Sequence, residues 1–159
     1  MNLKKTILIL VLYFIANCIF AQNCRNFHKE NCKTSTFYDY KYYGQSRSAV
    51  MIANQTVQHK AVFYGRKDYQ IIFCTESNHY PVHFVVKNIE NDIVLYDNII
   101  DDYVESIGFT IDYTQSLLFE ITVIADEENQ YYNMENRICL GMQIVWRRIG
   151  SLGFYAGQF

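Results

Sequence analysis

Apolar and polar positions alternate along most of this chain with a period of two. Tyr69, Ile71, Phe73 and Thr75 alternate with Gln70, Ile72, Cys74 and Glu76. In a strand, successive side chains point to opposite faces, so this pattern predicts one aromatic–aliphatic face and one mixed face carrying Cys74. A break follows and ends at Pro81, the chain's single proline. Proline donates no N–H, so it belongs at the edge or start of the next strand. Val82, Phe84 and Val86 then alternate with His83, Val85 and Lys87, and after the polar turn 88–92 a third apolar run covers 93–96. Residues 68–98 are therefore expected to form a three-stranded meander. Further strands are expected around Ile107, Phe109 and Ile111, around Leu117, Phe119, Ile121 and Val123, and around Ile138, Leu140, Met142, Ile144 and Trp146. Upstream, 47–53 and 58–64 read the same way. Tyr38, Tyr40 and Tyr42 predict an edge strand or an aromatic arm.

The total is about eight short strands, with no sustained helical period after the N-terminus. This spacing predicts an all-β fold, a two-sheet antiparallel β-sandwich with a jelly-roll-like order. No repeat or linker divides it. Residues 47–149 read as the sandwich, 22–46 as an N-terminal arm carrying disulfides and aromatics, and 150–159 as a glycine-rich, aromatic tail.

The N-terminus changes the address. Lys4 and Lys5 precede an apolar run over 6–15, and Ala21 is a small residue suited to cleavage before Gln22. Residues 1–21 thus have the form of an export signal. The run is short of the roughly 20 residues that a spanning helix needs, so no stable membrane span is expected after cleavage. Removing 1–21 takes away two lysines and no acid. That leaves 12 bases against 16 acids and a net charge of −4. A mildly acidic chain without a basic run argues against a nucleic-acid partner. The 14 tyrosines suit a β-rich core, and equally a face for sugars.

Four cysteines remain after cleavage: Cys24, Cys32, Cys74 and Cys139. An even number in an exported chain predicts disulfides. Three connectivities exist. Cys24–Cys32 with Cys74–Cys139 is the expected one, because the first two are close in sequence and the others lie in mid-strand.

Candidate chemistry is sparse. Cys74 and His83 could pair as nucleophile and base, but oxidation of Cys74 and the lack of an orienting group weigh against it. His79 and His83 flank a turn and a proline. Asp97, Asp101 and Asp102, with Glu105, form an acidic loop able to supply oxygens to calcium, and Asp126, Glu127 and Glu128 form a second cluster. Asn54-Gln55-Thr56 matches a glycosylation acceptor. Arg47, opening a strand in Ser46-Arg47-Ser48, is a candidate for recognising an anion or carboxylate, or for bridging to a neighbouring acid. No phosphate loop, GxSxG elbow or HExxH motif is present.

Gly44-Gln45-Ser46-Arg47-Ser48-Ala49, Asp68-Tyr69 ahead of Cys74, Leu95-Tyr96-Asp97-Asn98 and Cys139-Leu140-Gly141 together resemble a family of small uncharacterised secreted bacterial β-sandwich proteins. More loosely, the strand rhythm is similar to that of jelly-roll domains of the pre-peptidase C-terminal type, which assist binding or secretion and are not catalytic. The first resemblance implies an exported sandwich and assigns no activity. The expected function is a non-enzymatic, secreted or periplasmic protein with a protein or polysaccharide partner. A secreted hydrolase using loop carboxylates and a small outer-membrane β-barrel are the alternatives.

Overall fold

The computed structural model describes residues 24–33, 39–76, 81–125 and 137–149. The expected signal 1–21, the tail 150–159, His79 and the cluster Asp126, Glu127 and Glu128 lie outside them. Nine strands are found among the described residues: β1 (Lys41–Tyr42), β2 (Arg47–Ile52), β3 (Thr56–Phe63), β4 (Lys67–Thr75), β5 (Val82–Asn88), β6 (Val94–Asp97), β7 (Ser106–Ile111), β8 (Gln115–Val123) and β9 (Arg137–Arg148). A short helix, α1 (Phe27–Asn31), precedes them, and a 3-10 turn (Asn98–Asp101) follows β6.

One sheet runs β1-β9-β4-β7, with β2 also on β9, and the other runs β3-β8-β5-β6; all pairs are antiparallel. Counted from β2, this alternation of strands between two four-stranded sheets is the order of a jelly roll. The expected meander over 68–98 is not formed. β4 lies between β9 and β7 in one sheet, while β5 and β6 pair in the other. Six residues separate Thr75 from Val82, more than a tight hairpin turn uses, and these two strand ends lie in different sheets.

The alternation does what it predicts for burial. Tyr69, Ile71 and Phe73 of β4 face Phe84, Phe119 and Phe63 across the sandwich, and each is at most 1 % exposed. Phe73 and Phe84 meet at 4.5 Å between ring centroids, and Phe63 and Tyr69 at 4.9 Å edge to face. Burying a side chain of this size contributes roughly 1.5–3 kcal/mol. The outward faces carry pairs such as Lys87–Glu120, Gln58–Glu120 and Thr56–Thr122. The barrel alternative is overturned, because a lipid-facing barrel needs an apolar exterior and a closed ladder, whereas these sheets are open and apolar on the inside.

The break at Gly44-Gln45-Ser46 joins β1 to β2 on one edge of β9. Ser46 Oγ accepts from the Ile144 N–H at 2.9 Å and donates to the Tyr43 carbonyl at 2.7 Å, filling the gap in the ladder. The Gln45 amide accepts from Val62 N–H at 3.0 Å and donates to Val62 C=O at 3.2 Å. It thereby covers part of the free edge of β3, where an open strand would otherwise template association.

The N-terminal segment packs on the outer face of the first sheet. Cys24 is bonded to Cys139, and Cys32 to Cys74, with Cα separations of 5.4 and 5.2 Å. The expected pairing is therefore exchanged. Cys74 stands opposite Gly141, which makes Cys139 its diagonal neighbour. Diagonal positions are about 7–8 Å apart, beyond the usual reach of a bridge. Cys24 and Cys32 bracket α1, and each reaches down to the sheet. They enclose Phe27 and Ile72 in a second apolar cluster. His28 anchors the helix to β2, its backbone N–H donating to Ser48 Oγ at 2.7 Å.

Candidate functional site

The start of β4 and the end of β9 meet in register: Lys67 faces Arg148, Asp68 faces Arg147 and Tyr69 faces Trp146, while Lys41 of β1 faces Trp146 from the other side. By strand alternation Lys67, Lys41 and Arg148 continue the inward-facing row that holds Tyr69 and Trp146, past the end of the core. Asp68 and Arg147 point to the outer face. A groove of about 750 Å³ lies over this end of β9. Trp146, Arg147, Arg148 and Ile149 form its floor, flanked by Asp39 and Lys41 on one side and Asp68 on the other.

Arg147 Nε donates to Asp68 Oδ2 at 2.9 Å, and its guanidinium carbon lies 5.0 Å from the Tyr40 ring centroid. Thr110 Oγ1 donates to Asp68 Oδ1 at 2.7 Å. The Thr110 hydrogen bond, followed by the Arg147 bond and charge, holds the Asp68 carboxyl below its ordinary range against an opposing contribution from burial. Both oxygens are occupied, so Asp68 is an ionised fixture and a poor general acid. Lys67 Nζ sits 4.1 Å from the Trp146 ring centroid and 5.0 Å from that of Tyr64, and Lys41 Nζ sits 5.8 Å from Trp146. The lining residues include no serine, cysteine, threonine or histidine. The groove can hold a ligand by charge and aromatic contact.

The residues singled out from the sequence lie elsewhere. Cys74 is bonded to Cys32 on the outer face of one sheet, whereas His83 is on the other sheet with Nε2 2.9 Å from Asp97 Oδ1. The proposed cysteine–histidine pair is not formed, because consecutive strands belong to different sheets. Asp97 Oδ1 also accepts from the Ile99 N–H at 3.1 Å, and Asp101 Oδ2 accepts from Tyr96 Oη at 2.7 Å. Burial, then Asp101, pushes the Tyr96 phenol up to about 12. Asp102 closes the 3-10 turn in the left-handed region, its N–H bonded to the Asn98 carbonyl. Among the described residues no three acidic, histidine or cysteine side chains converge as a metal site. Asn54 spends its amide on the segment just after β8: Nδ2 donates to Ala125 C=O at 3.0 Å and Oδ1 accepts from Ala125 N–H at 3.1 Å.

Arg47 projects from β2 opposite Met142, outside the groove. Its charge, after burial, lowers the pKa of His59 on β3. The groove was not visible in the sequence. Its lining cations are Lys41 and the dipeptide Arg147-Arg148, with Arg66-Lys67 alongside, and none of these is a basic run. The available signal was a basic pair at the start of β4 and another at the end of β9, the two ends that antiparallel pairing brings together. No family model and no curated protein matches this chain.

Proposed function

We propose that the protein is exported, loses residues 1–21, and acts in the periplasm or the medium as a binding protein rather than an enzyme. The groove over the end of β9 is the observation that carries this role. It presents cations held on aromatic rings beside an Arg147–Asp68 pair, and its described lining residues include no serine, cysteine, threonine or histidine. Export is supported by the signal-like N-terminus and by two disulfides, which form and persist in oxidising compartments. The resemblance to small secreted bacterial proteins supports the same address.

The test uses mature protein recovered from the envelope and medium of the producing cells. Labelled protein is titrated onto those cells' envelope fraction. Saturable binding that weakens strongly in the Lys41→Glu, Arg148→Glu double variant is expected. Retention in the cytoplasm with residues 1–21 attached would contradict export. Turnover of ester, glycoside or peptide substrates that vanishes on one substitution would contradict the non-catalytic role.

A further inference from the structure

Lys67 and Arg148 face each other directly across the β4–β9 ladder. Like charges in that position oppose pairing. The fold neutralises cations elsewhere: Lys87 is bonded to Glu120 and Arg147 to Asp68. Lys67, Arg148, Lys41 and Arg66 have no such partner among the described residues. Arg66 is held at the same end because its carbonyl accepts from the Ile149 N–H at 3.4 Å. Four cations without an acid partner among the described residues are thus gathered at one end of a chain whose acids outnumber its bases, 16 to 14.

We propose that the ligand of this groove is an acidic polysaccharide, with its carboxylates or sulfates seated between Arg148 and Lys41 of the lining and along to Lys67, which stands on the Trp146 ring beside it; this rests on the binding role proposed above. The three cations stand on three adjacent strands, so the row extends roughly 10 Å at about 4.8 Å per strand. A single small anion would use one step of that row, whereas a chain with a charge on each sugar ring uses all of it. The ammonium groups of Lys67 and Lys41 rest on the Trp146 ring, which limits the side-chain ordering lost on binding. The same contacts occupy the Trp146 ring, which disfavours a neutral sugar stacking there. Asp68 has both oxygens engaged and Asp39 is the other acid of the lining, so few acceptors remain for neutral hydroxyls. Three cations on adjacent strands, without a basic run, make a short electrostatic footprint for a long phosphodiester duplex.

The experiment is titration of the oxidised mature protein with polygalacturonate, a sulfated glycan, neutral dextran and duplex DNA, at low and at physiological salt. Binding to one or both acidic glycans, weaker in salt, is expected, and the two arms separate carboxylate from sulfate. Arg148→Glu is expected to weaken it about tenfold or more, with a melting temperature no lower than that of the parent. Lys60→Glu, on the outward face of β3, is expected to leave it nearly unchanged. Equal binding of dextran, or tighter binding of DNA, overturns the acidic-polysaccharide assignment. So does silence with all four polymers while envelope binding persists, and in these cases the binding role stands. Silence with the polymers and the envelope together overturns both. Equal losses in Arg148→Glu and Lys60→Glu remove the groove as the site.

Discussion

Gly141 stands directly opposite Cys74 on the β4–β9 ladder, and a Cβ at Gly141 would come within 2.7 Å of Cys74 Sγ. It would also meet Cys32 Sγ and His28 Cα, each at 2.8 Å. The helix and its bridge therefore lie on the sheet only because position 141 has no side chain. Gly141→Ala is expected to lift α1 from the sheet and cost about 1–3 kcal/mol, the range for overpacking. Urea unfolding of the oxidised protein measures it. An unchanged midpoint would show that α1 accommodates the methyl group.

The connectivity has a direct consequence for mass analysis. Proteolysis without reduction should release peptides joining Cys24 to Cys139 and Cys32 to Cys74, and no peptide joining Cys74 to Cys139. The bridges span 115 and 42 residues. In the chain-entropy model each alone contributes about 4–5 kcal/mol. Reduction is therefore expected to lower the urea midpoint sharply, and a reduced protein as stable as the oxidised one would contradict this.

Asn98 is fully buried, and its amide ties the loop after β6 to β5. Its Oδ1 accepts from the Phe84 N–H at 2.9 Å, and its Nδ2 donates to Val82 C=O at 2.7 Å and Val104 C=O at 3.2 Å. Asn98→Leu leaves these backbone groups without partners, at a cost of about 1–3 kcal/mol for a buried group. The variant should melt at lower temperature and exchange the Phe84 amide proton faster. Parental exchange at Phe84 would show that the loop is held by other contacts.

His59 Nε2 is buried and makes no hydrogen bond among the described residues. Burial first, and the Arg47 charge second, lower its pKa below 6.5. The unfolded chain then binds the proton more readily. This destabilisation is absent above about pH 6.5, grows as the pH falls toward the folded value and levels off below it. His59→Leu removes an unsatisfied polar atom, so a gain on the order of 1 kcal/mol at neutral pH and a shallower acid slope are expected. Denaturant midpoints measured across the acid range test both. A loss at neutral pH would mean that His59 has a partner in solution.

Local pattern carried much of this protein. Alternation in Tyr69-Ile71-Phe73, Val82-Phe84-Val86 and Leu117-Phe119-Ile121 determined the strands, their inward faces and hence an antiparallel sandwich, because the two-residue period of a strand is a property of neighbouring residues. The four cysteines were legible as two bridges for the same kind of reason: their number and the export-like N-terminus are local facts. What tertiary structure alone decided was who faces whom. The placement of β4 and β5 in different sheets separated Cys74 from His83. The β4–β9 register put Gly141, not Cys139, opposite Cys74, and so exchanged the disulfides. The same register set Lys67 against Arg148 and made a cationic groove from dipeptides that look unremarkable apart. Register is chosen by the summed burial of whole strands, a non-local quantity, so each of these outcomes depended on pairings between residues far apart in the chain.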